Sequence, residues 1–213
     1  MYSGIMRGTF EVTRVERKPD LLTYEVELSQ DLAEGLGPGA SVSIDGVCQT
    51  VVSCSGSRVS FDAIQETLDL TTLGSLELGD RVAVERSTKV GDEIGGHDVA
   101  GHVIGTGEIA TVHHEGDVCD IRIRVPKEWM NYIFHKGFIA VDGASMTVGE
   151  IDRGGSFDLH LIPETLRLTN LGTKSPGDRV NIELDARTVA IVDTVERVLE
   201  QRFELEQDGA GGS

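Results

Sequence analysis

Tyr24, Val26 and Leu28 alternate with Glu25 and Glu27, the period of two that marks a half-buried strand. Similar short runs recur along the chain. In the first half they predict strands at 9–16, 22–28, 41–45, 48–53, 58–64 and 81–85. Lys18-Pro-Asp20 turns the chain between the first two, and Asp45-Gly46 is a strong hairpin signal between the next pair. Only short helical pieces fit between the strands, at 30–36 and 66–73. The second half repeats the plan, with strands at 107–112, 119–125, 137–141, 145–151, 156–162 and 179–184 and helical pieces at 127–134 and 164–171. Six short strands per half with glycine-rich turns predict an all-β chain of two small antiparallel barrels, since closure removes exposed sheet edges.

The tail follows a different period. No Gly or Pro occurs from Thr188 to Glu206, and Val192, Val195, Leu199 and Phe203 recur at spacings of three and four, with Ile191 and Val198 beside them. This predicts an amphipathic helix of about five turns. Its stripe must be buried either on the chain's own barrels or against other copies of itself. The end, Asp208-Gly-Ala-Gly-Gly-Ser213, is small and polar and is expected to fray.

The two halves are copies. Asp45-Gly-Val-Cys-Gln-Thr-Val51 returns 97 residues later as Asp142-Gly-Ala-Ser-Met-Thr-Val148, with Cys48 on Ser145. At the same spacing Ser3-Gly-Ile-Met-Arg-Gly-Thr9 meets Ala100-Gly-His-Val-Ile-Gly-Thr106, which sets Ile5 on His102. After one inserted residue, Glu66–Gly74 meets Glu164–Gly172, and Gly79-Asp-Arg-Val82 meets Gly177-Asp-Arg-Val180. The repeat is too long for a solenoid and suits a duplicated domain. The expected organisation is a barrel at 1–97, a second barrel at 98–187, a helix at 188–206 and a disordered tail at 207–213.

Composition narrows the class. The 213 residues carry 36 acidic and 19 basic side chains, a net charge of −17. Nucleic acid is an unsuitable partner, because phosphate binding needs a basic face. Only five of the basic residues are Lys, and much acid with little Lys suits a protein living in high salt, where screening removes self-repulsion. Three cysteines (48, 54 and 119) form neither an even framework nor a metal-type spacing, which fits a reducing cytosol. No signal-peptide pattern or membrane-length apolar run is present, so a soluble, cytoplasmic protein without membrane contact is expected.

Several motifs are decoys. Gly105-Thr-Gly-Glu-Ile-Ala110 satisfies G-x-G-x-x-A, but the fingerprint requires a following helix, and Thr111–Gly116 reads as a turn. His97 with His102, and His113 with His114, lack companions at zinc-like spacing; the latter two are expected to be solvated. Cys48 is either a small core residue or a reactive thiol beside a tight turn. His102, introduced into one copy only, is either a satisfied surface histidine or an acid–base group. Thr50 and Thr147 are ordinary strand residues or hydroxyls facing a pocket. Two similar barrels suggest two similar sites, and the asymmetries at Cys48/Ser145 and Ile5/His102 would let two copies of one small molecule play different parts.

Together, Met1-Tyr-Ser-Gly-Ile5, Glu93-Ile-Gly-Gly-His97, Gly101-His102, Lys136-Gly-Phe138, Asp142-Gly143 with Ser145 and Thr147, Ile162-Pro-Glu-Thr-Leu166 and Val192-Asp-Thr-Val-Glu-Arg197 resemble the riboflavin synthases of alpha-chain type. The resemblance spans essentially residues 1–200. It implies two homologous six-stranded Greek-key barrels in tandem and a C-terminal helix that builds a homotrimer, with association with lumazine synthase as a further partner. It implies dismutation of two 6,7-dimethyl-8-ribityllumazine molecules to riboflavin and 5-amino-6-ribitylamino-uracil by transfer of a four-carbon unit, without metal or organic cofactor. A lumazine- or flavin-binding antenna protein of the same fold is the alternative; a flavin barrel for electron transfer would need a nucleotide-binding α/β domain that the chain lacks.

By this resemblance the first barrel's site is formed by Gly4, Ile5, Met6, Ser41, Cys48, Gln49, Thr50 and the run Asp62, Ala63, Ile64, Gln65, Glu66, Thr67. The second barrel's site is formed by Gly101, His102, Val103, Lys136, Ser145, Met146, Thr147 and the run His160, Leu161, Ile162, Pro163, Glu164, Thr165. The catalytic candidates are Cys48 and His102, for proton transfer or a nucleophile at C7, with Ser41 and Ser145 as hydrogen-bonding helpers. An active site would pair the first barrel of one subunit with the second barrel of a neighbour. Tyr2, Ser3, Val47 and Gln49 depart from the family pattern, and alternation would point Gln49 away from Cys48 into solvent unless it adjusts ligand contacts.

Overall fold

A computed structural model describes residues 1–210, with side chains through Arg202. In the first half, β1 (Thr9–Lys18), β2 (Leu21–Glu27), β3 (Ser41–Ile44), β4 (Val47–Ser55), β5 (Arg58–Ile64) and β6 (Arg81–Arg86) close into a barrel of order β1-β2-β5-β4-β3-β6. Two short helices lie outside it, α1 (Gln30–Ala33) and α2 (Gln65–Leu70). Closure depends on β4 changing partners: Val47–Thr50 pair with β3, and Val51–Ser55 pair with β5. Extra residues at Thr13 in β1 and Val52 in β4 shift the register, and such bulges add the bend that closing a sheet needs.

The second half has the same circuit: β7 (Gly105–Glu115), β8 (Val118–Arg124), β9 (Phe138–Val141), β10 (Ala144–Thr147), β11 (Ile151–Asp152), β12 (Ser156–Leu161) and β13 (Arg179–Leu184), with α3 (Pro163–Leu168) matching α2. The strand expected at 145–151 is broken into β10 and β11, so this sheet has seven strands and not six. The break falls at the partner switch, where the second copy has Gly149, and glycine weakens a strand. Two backbone bonds bridge the gap, Gly149 N to Asp158 O at 2.7 Å and Asp158 N to Glu150 O at 2.9 Å. The decoy glycines Gly105 and Gly107 lie within β7, which also carries His113 and His114. Those two histidines are exposed, as expected, but on a strand and not in a turn.

Each barrel has its own core. Leu22, Tyr24, Val51 and Phe61 fill the first, and Ile109, Ile121, Ile123 and Phe157 fill the second. Between them, Asn181 Nδ2 donates to Asp45 O at 2.7 Å and to Thr72 Oγ1 at 2.8 Å. Asn170 Nδ2 donates to Asp45 Oδ1 at 2.9 Å.

The final helix, α4 (Ala186–Ala210), is longer at both ends than 188–206. It begins early because the Asp185 carboxylate accepts from Thr188 N at 2.8 Å, capping the first turn. Of the expected tail, 207–210 continue the helix, and 211–213 lie outside the described residues. Val189 packs on the second core, and one turn further on the Tyr132 hydroxyl donates to Asp193 Oδ1. Ile191, Val195, Val198 and Leu199 are all exposed. The side chain of Phe203 lies outside the described residues.

Candidate functional site

Two leading segments cross between the barrels. Residues 1–6 precede β1 and residues 99–104 precede β7. They meet in one antiparallel bridge, with Tyr2 N donating to Val99 O at 2.7 Å and Val99 N to Tyr2 O at 3.1 Å. Tyr2 and Val99 are equivalent positions of the repeat, so the bridge lies on an approximate twofold axis. Each segment then docks on the other half's barrel. Ser145 N donates to Gly4 O at 2.8 Å, and Cys48 N donates to Gly101 O at 2.9 Å. Met6 enters the second core, and Val103 packs against the first. Only glycine fits at these crossings. Gly4 and Gly101 have φ of +74° and +80°, and a Cβ would lie 2.5 Å from Ser145 Cβ and 2.6 Å from Cys48 Cβ.

This exchange corrects the assignment of segments to sites. Gly101, His102 and Val103 join the first barrel's Val47, Cys48, Glu66, Thr67, Leu70 and Thr71 around a cavity of about 310 Å³. Gly4, Ile5 and Met6 join Ala144, Ser145, Met146, Ile162, Glu164, Thr165, Leu168 and Thr169 around one of about 180 Å³. The repeat alone shows which residues are equivalent. It does not show which barrel a leading segment touches, because that is decided by hydrogen bonds between the halves.

The exchange brings Cys48 and His102 into one pocket. The Tyr2 hydroxyl, buried between the barrels, donates to Cys48 Sγ at 3.2 Å. Burial first, then the neighbouring thiol, push the phenol far above its usual range, so it remains a donor. In the other pocket Ser145 Oγ lies 2.6 Å from His97 Nδ1. Burial lowers the His97 pKa, so its neutral ring can accept from the serine hydroxyl. His97 also stacks on Phe138 with centroids 5.2 Å apart.

Apart from Ile162, the other expected site residues line neither pocket, and His160 lines a separate cavity with His113, Asp120 and Arg122. Ser41 pairs with Thr50 on the face of the β3–β4 ladder that carries Cys48. Thr147 is exposed on the Ser145 face of β10. Asp62 accepts from the Thr23 hydroxyl at 2.6 Å, His160 Nδ1 lies 2.6 Å from Asp120 Oδ1, and Gln65 donates to Asp69 at 2.6 Å. Ile64 and Ile162 are exposed at 56 % and 58 %. Pro163 occupies the first turn of α3. Lys136, with φ of +64°, is exposed and lines neither cavity.

The side chains of Ala63 and Leu161 are buried in the barrel interiors, so contact with a ligand there would run through backbone. Gln49 also faces inward. It points away from Cys48 as alternation requires, yet not into solvent: it is 5 % exposed and accepts from the Tyr24 hydroxyl at 3.3 Å.

The sequence reading did not pick out Leu70, Thr71, Leu168 and Thr169 as lining residues, although all four lie in the repeated Glu-Thr-Leu blocks. His97 stands in the sequence as an unpaired metal candidate and as the end of the Glu93–His97 motif, with no pocket role assigned to it. A separate cavity of about 460 Å³ between the barrels, lined by Asp45, Asn170, Lys174, Arg81 and Arg179 among others, contains none of the expected site residues.

The chain matches the lumazine binding domain twice, at residues 3–87 and 100–185. It is 48 % identical over 203 residues to the riboflavin synthase of Escherichia coli (strain K12), covering 95 % of each chain. It is 44 % identical over 199 residues to that of Chlamydia pneumoniae, covering 93 % of this chain and 97 % of the relative. Among solved structures, LumP complexed with riboflavin superposes with a TM-score of 0.81 at 26 % identity, covering 87 % of this chain and all of LumP. With two matched domains and near-full-length similarity to these enzymes, the chain belongs to the riboflavin synthase family.

Proposed function

We propose that the chain converts two molecules of 6,7-dimethyl-8-ribityllumazine into riboflavin and 5-amino-6-ribitylamino-uracil by moving a four-carbon unit from one to the other. The observation that carries this reading is a pair of like pockets with unlike chemistry. One holds Cys48 and His102, and the other holds Ser145 and Ile5 at the equivalent positions. Two pockets can hold two copies of one substrate, and the asymmetry lets one copy donate and the other accept. The two products together contain the same atoms as the two substrates, so the balance needs no oxidant or reductant.

The lumazine C7 methyl is acidic because its anion delocalises into the ring. A base in the first pocket can take that proton, and the Cys48 thiol, oriented by the Tyr2 hydroxyl, can act on C7. Holding two large reactants in register supplies much of the acceleration. Ser41, Thr50, Thr147 and Lys136 serve from the rims.

The assembly that completes this site is a homotrimer built on α4. The exposed stripe of Ile191, Val195 and Leu199 supports it. The hydrogen bond from Tyr132 to Asp193 Oδ1 at 2.7 Å, which fixes the helix to the second barrel, supports it as well. Exposed Ile5, Ile64, Leu70, Phe138 and Ile162 lie on or near the two pockets and suit a neighbour's surface, so the Cys48 pocket of one copy would face the Ser145 pocket of another. Association with lumazine synthase rests on family resemblance alone. No helix among the described residues is long and apolar enough to cross a membrane. Three free cysteines suit a reducing cytoplasm.

The test is to incubate the purified chain with 6,7-dimethyl-8-ribityllumazine alone and separate the products. One riboflavin per two lumazines consumed is expected. Tight binding with a fluorescence change and no riboflavin would favour an antenna protein.

A further inference from the structure

Glu85 on β6 and Glu183 on β13 are only 3 % and 7 % exposed, occupy equivalent positions of the repeat, and take no part in the chemistry above. Each carboxylate grips the backbone of a crossing segment. Glu85 Oε1 accepts from Ser3 N at 2.7 Å and from Ser3 Oγ at 2.6 Å, and its Oε2 accepts from Gly4 N at 3.0 Å. Glu183 Oε1 accepts from Ala100 N at 2.7 Å, and its Oε2 accepts from Gly101 N at 2.9 Å and His102 N at 3.0 Å. Burying a carboxylate is costly unless charge-assisted hydrogen bonds satisfy it, and here the donors are the crossing segments themselves.

Both grips end on residues that line a pocket: Gly4 in one, Gly101 and His102 in the other. Gly4 gives its N–H to Glu85 and its carbonyl to Ser145 N. Gly101 gives its N–H to Glu183 and its carbonyl to Cys48 N. Each glutamate stands on one barrel and, through a single glycine, sets the reactive position on the other.

We propose that Glu183 is the positioning residue for Cys48 and His102, and Glu85 the positioning residue for Ser145 and Ile5, each acting across the boundary between the barrels. The inference rests on the reading that these pockets hold substrate. Its test does not require turnover.

The measurement is the rate of Cys48 alkylation by iodoacetamide in the full-length protein, mapped by peptide mass with Cys54 as internal reference and with melting recorded as a fold control. Glu183→Gln should raise the Cys48 rate about tenfold, because hydrogen bonds to a charged group are worth about a factor of ten or more. Glu85→Gln should raise it by clearly less, since the Gly4 it holds leads to Ser145 and it reaches Cys48 only indirectly, through Ser3 and Tyr2. Equal change in both variants, or no change in Glu183→Gln, overturns the proposal. If Glu183→Gln fails to fold, Glu183→Asp keeps the charge, shortens the arm by one methylene and is read the same way. A chain that makes no riboflavin can still show this crossed pattern, so the failure of either reading is separately visible.

Discussion

Gly46 and Gly143 lie backbone to backbone where the two barrels meet, each the second residue of an Asp-Gly hairpin turn. A Cβ on Gly143 would fall 2.7 Å from Gly46 Cα, and both glycines have positive φ, +82° and +80°. The two hairpins therefore leave no room for a side chain between the halves at this point. Gly143→Ala should cost about 2–4 kcal/mol, from overpacking and left-handed backbone strain together. That corresponds to a fall in melting temperature of about 5–15 °C. An unchanged melting temperature would show that the hairpins do not meet this closely.

Cys48→Ala and His102→Gln should each lower turnover by about 10²–10⁴-fold, the range for a removed acid–base or nucleophilic group; melting should change little in His102→Gln and fall modestly in Cys48→Ala, which leaves the buried Tyr2 hydroxyl without its acceptor. Ser145→Ala should cost less, since it removes a hydrogen-bonding helper. Wild-type rates in Cys48→Ala or His102→Gln would sink the assignment.

Asp142 is buried beside Asp45, and burial raises the pKa of both. That of Asp142 is pushed up to about 6 against the pull of Lys174 at 3.7 Å, while repulsion from Asp142 adds to the rise at Asp45. For a carboxyl whose folded pKa lies above its unfolded value, the native state binds protons more tightly than the unfolded one. Its stabilisation is present at low pH and is lost as pH rises through the folded pKa. Asp142→Asn should therefore gain in melting temperature relative to wild type as pH rises from about 4 to about 7. A difference that stays flat, or runs the other way, would contradict the raised pKa.

The exposed apolar stripe of α4 predicts that Val195→Asp shifts the chain toward monomer. Sedimentation velocity reads the change directly, and turnover should fall with it if the active site spans two copies. A variant that keeps the wild-type sedimentation coefficient would remove α4 from the interface.

The net charge of −17 predicts a salt-dependent fold. Molar potassium chloride should raise the melting temperature relative to low salt, because screening at about 3 Å range removes self-repulsion between surface acids. No dependence would refute the high-salt reading.

Local physics wrote much of this protein into its sequence. Alternating residues such as Tyr24, Val26 and Leu28 can bury one face only as strands. The Asp-Gly pairs fit tight hairpins, and spacings of three and four in α4 place its apolar residues on one stripe. The repeated heptads by themselves make Cys48 and Ser145 equivalents. The partners of the crossing segments could not be found this way. Gly4 reaches Ser145 and Gly101 reaches Cys48 through backbone hydrogen bonds between residues far apart in the chain, and every residue offers the same N–H and C=O groups. The inward turn of Gln49 toward Tyr24 likewise depends on the barrel having closed. Repeat spacing can reveal equivalence, but contact between the halves is set by where two folded surfaces satisfy each other's polar groups.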